Sequence, residues 1–142
     1  TVMNVPHTKA KKLNSDRDNI TYIEFNLYQS WENSDLMKYD VDVVFIDAIH
    51  EQNEVNSDLL NSLNYLSVNK KKLFVFDDYG VKHLPGTKCV VDGYIKNNIL
   101  KKEKYIGFEP KYKLVNEREN RVINYVDWEG IICKQVADIE VD

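Results

Sequence analysis

Cysteine, proline and glycine are all scarce, at two, three and five in 142 residues. Cys89 and Cys133 stand far apart and in no metal-ligand spacing, so neither a zinc site nor a disulfide framework is expected. They read as reduced, buried thiols of an intracellular protein. Long apolar runs are missing too: nothing approaches the roughly 20 residues of a membrane-spanning helix. The first residues carry no signal-peptide pattern, so a cytoplasmic setting without a membrane partner is the expectation. There is no basic face and no arginine cluster, and 19 basic against 23 acidic side chains leave a net charge of −4. That balance argues against nucleic acid as a partner. The lysine clusters at residues 9–12, 70–72 and 101–104 read as solvated helix ends. With no repeat and no low-complexity linker, residues 1–142 read as one domain, long enough for a core.

The informative stretch is residues 41–80, VDVVFIDAIHEQNEVNSDLLNSLNYLSVNKKKLFVFDDYG. Val43-Val44-Phe45-Ile46 and Leu73-Phe74-Val75-Phe76 are short unbroken apolar runs, suited to strands buried on both faces. Between them Val55, Leu59, Leu63 and Leu66 form one stripe at helical spacing. Strand, helix, strand is a crossover unit, which makes the two strands parallel and ends them on one edge. Each strand stops in acid, Asp47 after the first and Asp77-Asp78 after the second. A single aspartate at a strand end is usually a cap or a turn residue. One on each of two adjacent strands, with a pair on the second, points instead to the ligand edge of an open α/β sheet.

Three carboxylates together repel, and burial adds to the penalty. A proton, a lysine or a cation must compensate, and an all-oxygen set favours a hard ion, Mg²⁺ before Mn²⁺ or Ca²⁺. His50 lies three residues beyond Asp47. An imidazole, with its ordinary pKa near ~6.5, suits a general base at neutral pH.

Elsewhere the pattern is plainer. Residues 1–3 read as the end of a strand, Pro6 opens a helix running to Asn14, and residues 20–25 read as a further strand. Residues 31–39 suggest a short helix. After the loop with His83, Pro85 and Gly86, a second amphipathic helix carries Val91, Ile95 and Ile99, weakened by Gly93. Residues 111–115, 121–126 and 130–136 read as antiparallel strands closing the sheet edge.

This order resembles the class I S-adenosylmethionine-dependent methyltransferases. Phe45-Ile46-Asp47-Ala48-Ile49-His50 is similar to the F-I-D-G-x-H motif of the small-molecule O-methyltransferases. Phe76-Asp77-Asp78-Tyr79-Gly80 with the later Val-Val-Asp-Gly-Tyr-Ile is similar to the macrocin-type sugar O-methyltransferases, and Trp128 to Cys133 resembles the family's final hairpin. The resemblance implies a Rossmann-like, doubly wound, mostly parallel sheet with a C-terminal antiparallel hairpin. It implies S-adenosylmethionine as cofactor, a divalent cation such as Mg²⁺ held by Asp47, Asp77 and Asp78, and His50 as the base. The acceptor would be a hydroxyl of a sugar or other small polar molecule. Asn4 would take the ribose position, and Asn26, Leu27 and Tyr28 would contact the adenine.

Two departures matter. Ile49 stands where macrocin-type enzymes have a second aspartate. No G-x-G precedes the core strands, so the family's first strand and glycine turn are missing, and the strand at residues 43–47 loses a neighbour. An upstream segment, another subunit of a homo-oligomer, or re-pairing of the second strand would have to fill that slot. A catalytically inactive fragment serving as a binding or assembly module is therefore the alternative reading. A receiver-like phosphoryl-transfer domain also places acids over Mg²⁺, but with the acidic pair on the first strand, the reverse of the order here.

Overall fold

The computed structural model describes residues 12–140. Its centre is a four-stranded sheet in the order β1 (Val43–Ile46), β2 (Leu73–Phe76), β6 (Gly130–Gln135), β3 (Leu100–Ile106). β4 (Lys113–Asn116) and β5 (Arg121–Asn124) form a separate two-stranded hairpin. The helices are α1 (Gln52–Tyr65) and α2 (Pro85–Lys96). The fold is α/β with a mixed sheet.

β1 and β2 are parallel and pair Val43 with Leu73 through Ile46 with Phe76. The two acid-tipped ends are thereby level. One face of the sheet carries Ile46, Phe74, Phe76, Ile131, Cys133 and Leu100, and α1 and α2 cover it with Val55, Leu59, Leu63, Val90 and Val91. All are buried, each large apolar side chain contributing roughly 1.5–3 kcal/mol. Val55, Leu59, Leu63 and Leu66 all turn inward, as their spacing predicts. Pro85 occupies the first turn of α2, where its missing N–H costs nothing.

The opposite face is thinly covered among the described residues, with Val75 and Ile132 half-buried. Val43, Phe45 and Leu73 are exposed there, Phe45 at 60%. β1 is also an edge strand. Asp42 O accepts from Leu73 N, and Ile46 O accepts from Asp77 N. Hydrogen-bonding direction alternates along a strand, so the N–H and C=O of Val43 and Phe45 face the open rim.

Several expectations are corrected. The sheet is not mostly parallel, because β6 lies antiparallel between β2 and β3. Of the three C-terminal segments expected at the sheet edge, only β6 joins the sheet; β4 and β5 pair with each other alone. β3 went unpredicted because Lys101-Lys102-Glu103-Lys104 is solvated throughout and shows no apolar alternation. Residues 20–25 are not a strand: they have no ladder partner among the described residues, and Phe25 packs edge-on against Trp31 at 5.8 Å. In residues 31–39 only Asp35–Lys38 is helical, as a single 3-10 turn. Cys89 is exposed, because α2 turns it outward, while Cys133 is buried in the core.

Lys72 is not a solvated helix end either. It is 1% exposed, and its ammonium donates to the carbonyls of Ser67 and Lys70 at 3.4 and 3.5 Å. It thus serves the chain leaving α1, where unpaired carbonyls gather. The expected strand end at residues 1–3 and helix start at Pro6 lie outside the described residues, as does Asn4. No helix among the described residues is long and apolar enough to cross a membrane.

Candidate metal and ligand site

Asp47 leaves β1, and the chain turns at His50 before α1 begins. Asp77 and Asp78 leave β2 at the same level, tied back by the bond from Asp77 N to Ile46 O at 3.3 Å. Asp78 then takes a left-handed conformation, φ +52°, which Asp tolerates better than most residues. The chain is clamped directly afterwards: Tyr79 N donates to Glu129 O at 2.6 Å, and Val126 N donates to Gly80 O at 2.7 Å. A Cβ on Gly80 would overlap the backbone of Asp127 and Trp128, so the turn can seat only on glycine. Gly86, in the first turn of α2, lies against the backbone of His50 and Gln52 just as closely.

The result is a convergence of three side chains. His50 Nε2 is 3.4 Å from Asp47 Oδ1 and 3.2 Å from Asp78 Oδ2. One ligating atom from each of the three lies within 4.8 Å of the others. His50 Nε2 is buried, yet it forms no properly directed hydrogen bond with either carboxylate. A buried nitrogen left unbonded is costly, and one aimed between two carboxylates suits a cation held among all three. Burial first, and then the charge of Asp77, push the carboxyls of both Asp47 and Asp78 above their ordinary value. Neutralisation by a cation would relieve that repulsion.

Asp77 stands outside this group of three, close enough to Asp47 to raise its pKa. His50 therefore joins the candidate ligands, a role that would occupy the Nε2 lone pair that the expected base would need.

A second cluster braces the turn. Lys88 on α2 donates to Tyr79 Oη at 2.8 Å and to Asp127 at 2.9 Å, and pairs with Asp92 at 3.0 Å. Burial alone would lower the Lys88 pKa, but its bonds to Tyr79, Asp127 and Asp92 outweigh that and hold it raised. Tyr79 is raised by its burial and by its bond to Asp92 at 2.6 Å. Both groups keep their protons, so the brace is fixed across ordinary pH.

Beside the three-residue group lies a cavity of about 300 Å³ walled by Leu27, Trp31, Val44, Phe45, Ile46 and Ala48, with Asp47 at one side. Leu27 and Tyr28, expected near an adenine, reach this region, Tyr28 in an adjoining recess that shares Leu27 and Ala48. Asn26 does not line it; its side chain accepts from Tyr28 N at 3.0 Å in a local turn. Trp31 is fixed by donation from its indole to Leu27 O at 3.2 Å.

Asp58 lines both spaces and was not singled out from the sequence. The signal was there: it falls three residues after Val55 and beside Leu59, on the inward stripe of α1. Burial, and then Glu54, push its carboxyl up to about 6. Comparison of the chain with protein-family models, curated proteins and solved structures returns no match.

Proposed function

We propose that this chain is, or forms part of, an S-adenosylmethionine-dependent O-methyltransferase of Rossmann-like fold. It would act on a hydroxyl of a sugar or another small polar molecule with divalent-metal assistance. The observation that carries the reading is the meeting of Asp47, His50 and Asp78 at the carboxyl ends of adjacent parallel strands, beside a cavity. Open α/β sheets place ligands at such an edge.

Asp47 and Asp78 supply hard oxygen donors and His50 a borderline nitrogen, a set that fits Mg²⁺ or Mn²⁺. Such a cation supplies Lewis-acid chemistry when bound, and S-adenosylmethionine supplies an electrophilic methyl group. The chain's own residues do the rest. The two carboxylates and His50 Nε2 would hold the cation, which leaves that nitrogen no lone pair for the acceptor's proton, so the proton would pass to solvent; Trp31 and Leu27 wall the adjoining space. Positioning and electrostatics would account for most of the acceleration.

The bare rim and face of β1 favour a second reading, a binding or assembly module completed by another segment or subunit. Calorimetry separates the two. Titration with S-adenosylhomocysteine, with and without Mn²⁺, should release heat from a methyltransferase. An absence of heat in the longest natural form of the chain leaves only the assembly module.

A further inference from the structure

A groove between α1 and α2 lies outside the site described above, and its lining is unusual for this chain. It holds about 340 Å³, within the ~300–1,000 Å³ of small-ligand clefts. Charged residues make up 30% of the sequence, yet among the described residues no charged side chain lines this space. Exposed amides stand around it instead: Gln52, Asn53 and Asn56 from α1, and Asn97 just beyond α2. Buried Val90 and half-buried Gly93 and Tyr94 form its floor.

The amides are not spent on the fold. Among the described residues, the side chains of Gln52, Asn53 and Asn97 make no hydrogen bond. Asn56 commits only its oxygen, which accepts from Tyr94 Oη at 3.1 Å. Asparagine is a poor helix former, so Asn53 and Asn56, three residues apart on one face, weaken α1 and brace it little. A Cβ on Gly93 would meet nothing within 4 Å. Glycine thus keeps the groove open where a larger residue would stand in it.

The chemistry of this lining narrows the class of ligand. With no cation in the lining, a phosphate or carboxylate would lose water and gain no partner. A purely apolar ligand would strip the amides of water for no return. Each amide presents an acceptor and two donors together, and a hydroxyl both donates and accepts. A pyranose ring carries hydroxyls around its rim and C–H groups on its face, which match an amide rim over Val90 and the Tyr94 ring. A second space of about 310 Å³ shares Gln52 and Cys89 with the groove and continues to the His50 loop, giving room for further rings.

We propose that the groove between α1 and α2 binds a neutral oligosaccharide, held by the amides of Gln52, Asn53, Asn56 and Asn97. Such a site suits a sugar-modifying enzyme and a binding module alike, and it stands or falls apart from the methyl-donor reading.

The test is a nuclear magnetic resonance titration of the isotope-labelled chain with maltotriose, cellotriose, mannotriose and triacetylchitotriose. At least one should shift the side-chain amide signals of Asn53, Asn56 and Asn97, with a millimolar or tighter Kd. Gly93→Leu puts a side chain into the groove and should abolish binding. Asn53→Ala removes one amide and should weaken binding by about 2- to 10-fold. Both changes raise helix propensity, so cooperative melting should survive and lost binding reports on the groove. If none of the four trisaccharides shifts those signals, or if Gly93→Leu leaves binding unchanged, the groove is not a carbohydrate site. Neither result bears on the calorimetry with S-adenosylhomocysteine, which tests the methyl-donor reading alone.

Discussion

Asp78 and His50 meet at 3.2 Å, although one belongs to the turn after β2 and the other to the loop after β1. Level parallel strands create that meeting, and the left-handed backbone of Asp78 turns its carboxylate toward the imidazole.

Metal binding should follow the three-atom group. Asp78→Asn keeps a residue tolerant of the left-handed backbone and removes only the charge. It should weaken Mn²⁺ binding by about 10- to 100-fold, as should His50→Gln. Asp77→Asn should cost less. Electron paramagnetic resonance of free Mn²⁺ gives the order directly, and a larger loss in Asp77→Asn than in His50→Gln would put Asp77 in the ligand set in place of the imidazole.

Asp58 should make the free protein less stable as pH rises. Its folded carboxyl titrates near about 6, above the ~3.9 of an unfolded aspartate. Between those values the folded state holds a proton that the unfolded state has released, so stability falls as pH climbs through that window. The cost is fully present above it, on the order of 2–3 kcal/mol. Asp58→Asn should accordingly be more stable than the parent at pH 7, with the gap closing toward pH 4. Urea unfolding at both pH values measures it, and equal stabilities at pH 7 would contradict the burial of that charge.

Three glycines should respond with opposite signs. Gly80→Ala and Gly86→Ala drive a methyl group into fixed backbone and should each cost roughly 1–3 kcal/mol. Gly93 lies inside α2, and a Cβ there meets nothing. Gly93→Ala should therefore stabilise by roughly 0.5–1 kcal/mol. Melting temperatures of the three variants decide the matter.

What could be read in advance was what local pattern controls. The apolar runs of β1 and β2, the stripe of α1 and the acids at the strand tips follow from periodicity, and their pairing follows from the crossover rule. β3 stayed hidden because four charged residues in its middle carry no strand signal. The place of β6, inserted between β2 and β3, is a long-range outcome that no local spacing encodes. Asp47, Asp78 and His50 were legible because strand ends advertise themselves. Asp58 was passed over, since an acid in an amphipathic helix is ordinarily solvated, although its place on the inward stripe of α1 marked it as an exception.

Gly86 has a mechanical consequence. With no gap between the first turn of α2 and the main chain of His50 and Gln52, the helix and the imidazole's loop are seated as one body. Two residues further on, Lys88 fastens the same helix to Asp127, beneath the turn that carries Asp78. Both halves of the site hang from a single rod, so the spacing between imidazole and carboxylate is set by how α2 lies on the sheet. The centre is stiff in the place where loop-built centres usually yield.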